Sequence, residues 1–325
     1  MSDSPLVSHL YTADPSAHVF NDRIYVYPSH DRDSGIADND NGDQYDMVDY
    51  HVFSMDDVGA EVTDHGVALK LEDIPWAEKQ LWAPDAAAKN GKYYLVFPAR
   101  CPDGLFRIGV AVGEAPEGPF VAEPEPIAGS YSIDPAVLVE GNEAYLYFGG
   151  IWGGQLQHYD GNRYDPAREE PTGDAPAINP RVARLSDDMK SIVGEPQELV
   201  ILDEEGAPLK ASDHDRRFFE AAWVHRRGDT YYLSYSTGNT HYLVYATSKS
   251  PLGPFTYGGR ILEPVVGWTT HQSIVEHRGR WFLFHHDATL SGGKNYLRCM
   301  KAKEIFYDEA GRILPVEMSP VPEGA

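Results

Sequence analysis

Ile133-Asp134-Pro135-Ala136-Val137-Leu138-Val139-Glu140-Gly141-Asn142-Glu143-Ala144-Tyr145-Leu146-Tyr147 runs from an acid-headed loop through an apolar stretch and a polar hairpin into an aromatic strand. Apolar and aromatic runs separated by small turn residues read as two paired strands. The phrase returns four more times. Ala13-Asp14-Pro15 leads to Ile24-Tyr25-Val26-Tyr27, and Trp82-Ala83-Pro84 leads to Tyr93-Tyr94-Leu95-Val96. Phe219-Glu220-Ala221 leads to Tyr231-Tyr232-Leu233, and Thr270-His271-Gln272 to Trp281-Phe282-Leu283. The aligned aromatics Tyr25, Tyr94, Tyr145, Tyr231 and Phe282 lie roughly fifty to ninety residues apart, room for a four-stranded sheet and its loops. A second echo, Val110-Ala111-Val112-Gly113 to Gly118-Pro119-Phe120, recurs as Tyr245-Ala246-Thr247-Ser248 to Gly253-Pro254-Phe255. Looser copies at Tyr50-His51-Val52-Phe53-Ser54 and Val182-Ala183-Arg184-Leu185-Ser186 complete a third strand per unit. The pattern predicts an all-β chain, a five-bladed β-propeller occupying residues 1–325 as one domain.

Eleven places before each aligned aromatic stand Asp14, Ala83, Asp134, Glu220 and His271. A residue just before the innermost strand of a blade points toward the central channel, so the repeat gathers three carboxyls and one imidazole on one ring. Each has a bland reading: Asp-Pro opens turns, which covers Asp14 and Asp134, and a lone histidine is commonly a structural one. Glu220, between Phe218-Phe219 and Ala221-Ala222-Trp223, needs a partner or a task. Three acids in one frame favour a site. Glycoside hydrolysis uses a general acid and a carboxylate that activates water or attacks carbon. Apolar surroundings and a neighbouring like charge raise a carboxyl pKa, which makes Glu220 the acid, Asp14 the base and Asp134 the group that tunes Glu220. His271 could hold a cation through water. The His285-His286-Asp287 run is set aside as a metal triad because alternate strand residues face opposite ways. Trp82 and Trp152 are candidate sugar platforms, with Trp82 favoured beside the framed position, and Arg298 is a candidate clamp for substrate. The blocks 29–49 and 151–178 lack apolar periodicity and read as loops over one face.

Fifty Asp plus Glu against 27 Lys plus Arg give a net charge of −23, which opposes binding to nucleic acid or an anionic membrane. A neutral ligand fits better. There is no apolar run long enough to span a membrane, and the opening Met1-Ser2-Asp3-Ser4-Pro5 lacks the basic and apolar parts of a signal peptide, so a cytoplasmic location is expected. Cys101 and Cys299 have neither metal nor redox spacing and are expected to stay reduced.

In order and spacing these motifs, from Ala13-Asp14-Pro15 through Trp82-Ala83-Pro84-Asp85, Ser132-Ile133-Asp134-Pro135 and Phe219-Glu220-Ala221 to Glu304-Ile305-Phe306-Tyr307, resemble glycoside hydrolase family 43. The loop Ser29-His30-Asp31 to Asn39-Asp40-Asn41-Gly42-Asp43, followed by Asp49-Tyr50-His51-Val52-Phe53-Ser54, is similar to members acting on xylose- and arabinose-containing glycans. The resemblance implies an inverting exo-glycosidase acting on β-1,4-xylosides of short xylo-oligosaccharides, with α-L-arabinofuranosidase activity beside it. Asp14 would be the base, Asp134 the pKa modulator, Glu220 the acid and Arg298 a sugar contact. It also implies a divalent cation, Ca2+, on the axis at His271. Relatives often have Gly-Pro after the acid where this chain has Ala221-Ala222. Many xylosidases of the family carry a C-terminal β-sandwich; none is expected here, leaving pocket closure to loops or to a homo-oligomer neighbour. The alternatives are a primary arabinofuranosidase, a non-catalytic sugar-binding propeller, and a fructan-type enzyme, whose Asn-Asp-Pro-Asn start differs from Thr12-Ala13-Asp14-Pro15-Ser16.

Overall fold

The computed structural model describes residues 4–317; residues 1–3 and the tail through Ala325 lie outside it. Five sheets follow one another along the chain. Their innermost strands are Tyr11–Phe20, Asp85–Lys89, Ala136–Glu140, Glu220–Arg227 and Ser273–His277. Each pairs antiparallel with the aromatic strand that follows it. The inner hairpins of the first, second and fifth blades turn through Asn21-Asp22, Asn90-Gly91 and Arg278-Gly279 with both residues at positive φ. That primed geometry matches the right-handed twist of the flanking strands. The second echo falls on the third strands Phe106–Gly113 and Leu243–Ser248, and its looser copies on Asp49–Met55 and Arg181–Leu185.

The inner strands touch in ring order and the fifth meets the first, so the propeller is closed. Described by three strands, the last blade is completed by the chain start, where the Leu6 N–H donates to the Met300 carbonyl at 2.9 Å. A belt of side chains stitches the blades near the axis. Ser273 Oγ donates to the Pro15 carbonyl at 2.6 Å, His18 Nε2 lies 2.6 Å from Asp85 Oδ1, and the Val137 N–H donates to Asp85 Oδ2 at 2.6 Å. Trp223 Nε1 reaches the Ile274 carbonyl at 3.1 Å. Between the blades pack large buried rings such as Tyr27, Phe97, Tyr147 and Tyr235, each tyrosine with its hydroxyl satisfied by a carbonyl. Tyr27 bonds Pro116 and Tyr147 bonds Pro251, in the turns that introduce Gly118-Pro119 and Gly253-Pro254. The second echo is thus a blade-to-blade lock.

The block 151–178 is less irregular than its sequence suggested. It holds single 3-10 turns at Trp152–Gly154 and Leu156–His158 and a small hairpin, Tyr159–Asp160 with Arg163–Tyr164. Residues 32–48 form a long connection between Arg23–Asp31 and Asp49–Met55. Cys101 and Cys299 are buried and free. Among the described residues no helix is long and apolar enough to cross a membrane.

Candidate active site

A cavity of about 360 Å³ opens at the entry ends of the inner strands, and all five framed residues, Asp14, Ala83, Asp134, Glu220 and His271, line it. Local backbone geometry aims them. Asp14 lies at a bulge in its strand with φ +49°, Asp134 has φ +56°, and Ala221, directly after Glu220, has φ +65° beside a second bulge. Bulges re-aim side chains, and left-handed non-glycine residues concentrate at functional sites. Glycine takes such a φ without strain; alanine here takes it while its N–H donates to Asp134 Oδ2 at 3.0 Å, and nothing in the structure explains the departure.

The three acids experience unlike fields. Asp14 is 5% exposed, and burial alone would raise its pKa, yet the Arg298 guanidinium holds it well below the usual carboxylate range. Arg298 Nη1 donates to Asp14 Oδ1 at 3.0 Å, and Ser29 Oγ donates to Asp14 Oδ2 at 2.6 Å. Arg298 is itself fixed by Asp31, which accepts from its Nε and Nη2, both at 2.8 Å, and from its backbone N–H. The Asp14 N–H donates to His286 Nδ1 at 2.9 Å, so this nitrogen carries a lone pair, and Nε2–H faces the Thr269 carbonyl at 3.1 Å. Burial, and then the charge of Asp14 against the pull of Arg298, pushes Glu220 up to about 8. Asp134 is raised by burial, by Glu220 and by Asp14. Asp134 and Glu220 therefore retain protons that Asp14 has lost, and the Ala221 N–H favours the anion on Asp134, leaving Glu220 the better proton carrier.

His271 Nδ1 stands 3.8 Å from both Asp14 Oδ1 and Asp134 Oδ2. Burial depresses its pKa to about 4, so the ring is neutral and offers a lone pair. One imidazole fits a cation held chiefly through water. Among the described residues the one group of three metal-ligating side chains drawn together is His30, Asp49 and His51, and His271 is not in it. The set-aside run divides as strand alternation requires: His286 faces the cavity, while Asp287 pairs with Lys301 at 2.6 Å.

Trp82 reaches the cavity wall, but it is 9% exposed and has little free face. Its Nε1–H donates to the Tyr45 carbonyl at 2.7 Å, and a Cβ on Gly42 would stand 2.7 Å from its ring. Trp152, 38% exposed, presents the more open indole. Sequence reading missed Ser29, Asp31, Tyr45, His286 and Trp268. Ser29 and His286 each lie four places after an aligned aromatic, Tyr25 and Phe282, so a second frame carried the signal.

Acids of opposite protonation facing one sugar-sized cavity are the arrangement that glycoside hydrolysis requires. The chain belongs to glycosyl hydrolases family 43, whose family profile matches residues 4–313. It is 65% identical over 321 residues to xylosidase/arabinosidase 43A of Humicola insolens, covering 96% of this chain and 98% of that one. The solved structure of RS223-β-xylosidase superposes with a TM-score of 0.95 at 56% identity, covering 96% of this chain and 98% of that one. A β-xylosidase/α-arabinofuranosidase from a compost microbial metagenome, solved with xylotriose in a calcium-free form, has a TM-score of 0.94 at 59% identity, with 96% of each chain covered.

Proposed function

We propose that the protein is an inverting, exo-acting hydrolase that removes β-1,4-linked xylosyl groups from short xylo-oligosaccharides and also α-L-arabinofuranosyl groups. The observation that carries this reading is one cavity in which Asp14 is ionised while Glu220, near 8, is protonated. Asp14 keeps acceptor capacity beyond its bonds from Ser29 and Arg298, enough to take a proton from an attacking water. Glu220 gives its proton to the leaving oxygen, and burial together with the charge of Asp14 keeps that proton on it until then, with Asp134 in the modulator's place beside it. The relatives named as xylosidases and arabinosidases support the pentosyl substrate. Exo action is supported by the wall between blades one and five, where Asn295 Nδ2 donates to Asp38 Oδ2 at 3.2 Å and Lys294 Nζ meets Asp33 Oδ2 at 3.4 Å. A divalent cation, Ca2+, bound through water at His271 would add positive charge on the axis beside Asp14 and Asp134.

Proton NMR of the first sugar released from xylobiose tests the mechanism: the α-anomer is expected, and the β-anomer would remove Asp14 from the role of base. Aryl β-xyloside and aryl α-L-arabinofuranoside are both expected to be cleaved. Dialysis against a chelator is expected to lower activity, with Ca2+ restoring it; calorimetric titration of Ca2+ into the Glu220→Gln protein, with and without His271→Ala, reads the binding itself.

A further inference from the structure

On the first blade, away from the cavity, two imidazoles and a carboxylate converge. A ring nitrogen of His30, one of His51 and a carboxylate oxygen of Asp49 all lie within 4.8 Å of one another, and none of the three residues lines the cavity. The strands bring them together by their period of two. His30 stands in Arg23–Asp31 between Ser29 and Asp31, whose side chains serve Asp14 and Arg298, so it is turned to the opposite side of the strand. Asp49 and His51 are two apart at the start of the next strand, Asp49–Met55, and so share a face. The two rings meet edge to face with centroids 4.9 Å apart. All three side chains are partly open to solvent.

Hydrogen bonds set the tautomers. His30 Nδ1–H donates to Asp49 Oδ1 at 2.6 Å, and His51 Nδ1–H donates to Asp64 Oδ1 at 3.1 Å. Nε2 of each ring is left with a lone pair and no hydrogen-bond partner among the described residues. Asp64 is itself held, by His9 Nε2 at 2.8 Å and by the Gly66 N–H at 2.7 Å. A carboxylate behind a ligating histidine orients the ring and raises its basicity. Pairing alone accounts for the Nδ1 bonds and gives the two bare nitrogens no task. We propose that His30, Asp49 and His51 bind one divalent transition ion of the Zn2+ class, with Asp64 as the positioning group behind His51 and water completing the coordination. Two nitrogens and one oxygen suit zinc, nickel or copper better than calcium or magnesium, which separates this site from the cation proposed at His271. Ligand atoms around a tetrahedral ion with bonds of about 2.0 Å stand about 3.3 Å apart, so the side chains must draw in, a movement that partly exposed groups allow. The net charge of −23 favours the arrival of a cation.

Zn2+ alone is the probe. Calorimetric titration of Zn2+ into the metal-free full chain, with excess Ca2+ present to fill any oxygen-rich site, is expected to show one ion bound per chain. His271→Ala should bind it equally well. His30→Gln and His51→Gln should each lose the uptake, and Asp64→Asn should weaken it roughly tenfold, the scale of a lost outer hydrogen bond. His9→Ala should still bind, because an ion bridging His9 and His51 through Asp64 is the rival arrangement. Zn2+ should also raise the thermal midpoint of the wild type and leave those of the two glutamine variants unmoved, which separates a lost site from a lost fold. No uptake by the wild type, uptake persisting in both glutamine variants, or uptake lost in His271→Ala or His9→Ala would overturn the assignment. Each of these results leaves the hydrolase reading untouched.

Discussion

Asp85 and Asp134 begin or precede neighbouring inner strands, both carboxyls are almost wholly hidden, and the fold treats them in opposite ways. Asp85 spends one oxygen on His18, at 2.6 Å, and the other on the Val137 N–H, at 2.6 Å, so it ties the first blade to the second and third. Asp134 accepts the Ala221 N–H and otherwise faces Glu220, Asp14 and a neutral His271. A buried carboxyl whose oxygens are both bonded is mortar, whereas one surrounded by other acids holds a proton at pH values where acids lose theirs. On the proposed reading the same residue type, with the same concealment, is structural in one blade and chemical in the next because of what the adjacent strands offer it.

The comparison is most severely tested by removing the proposed acid and the proposed base. Glu220→Gln and Asp14→Asn are each expected to lower kcat on xylobiose by roughly 10³-fold, within the range for lost general acid or base catalysis. Both proteins should unfold at urea concentrations no lower than wild type. Asp85→Asn should do the reverse, costing about 3 kcal/mol of stability by breaking a buried pair, with kcat of the folded fraction preserved. If Asp85→Asn silenced catalysis without loss of stability, the division between mortar and chemistry would be wrong.

Next in size is Arg298→Met, expected to lower kcat/KM roughly a hundredfold through loss of a charge-assisted contact at the reacting site. Its pH profile is the sharper reading. Arg298 lowers the pKa of Asp14 and also opposes the rise at Glu220. In the wild type the alkaline limb of kcat/KM should fall near 8, where Glu220 loses its proton, and the acid limb should lie far below neutrality. Without the guanidinium both carboxyls bind protons more tightly, so both limbs should move to higher pH. A profile that merely dropped in height, with its limbs unmoved, would make Arg298 a substrate contact alone.

The architecture and the ring of framed residues were readable because both follow from periodicity: a repeat that pairs strands also repeats the direction of the residue ahead of them. All five framed residues line the cavity for that reason. What governs the ring was harder to read. Asp31, which orients Arg298, ends the second strand of the first blade, whereas Arg298 lies in the fifth, and its role exists only because residues 31 and 298 meet across the closure of the propeller. Trp82 was favoured over Trp152 as a platform for its place beside the frame, yet how open each indole is depends on Gly42 and Gly153, which cover Trp82, a fact of loop packing that no spacing encodes. His286 was within reach through the second frame it shares with Ser29, but His285 and Asp287 on either side drew attention to a cluster that alternation takes apart.

The smallest expected effect concerns the residue that links the proposed acid to its proposed tuner. Ala221 is fully buried at φ +65° and gives its N–H to Asp134. Replacing it by glycine removes a left-handed strain of about 1–2 kcal/mol. It also gives up about 0.8 kcal/mol of buried methyl and about 0.4–1 kcal/mol of unfolded-state entropy. The contributions nearly cancel, so Ala221→Gly should unfold within about 0.5 kcal/mol of wild type, a surface-like change at a buried position. Its kcat and alkaline limb should be unchanged, because the N–H that stabilises the Asp134 anion is still present. Ala221→Val keeps the N–H as well, yet a β-branched side chain at this φ cannot be accommodated without moving the bulge, so stability and the alkaline limb should shift together. An alkaline limb that moved in the glycine variant would mean that Asp134 is tuned by the packing of the alanine methyl rather than by the backbone hydrogen bond.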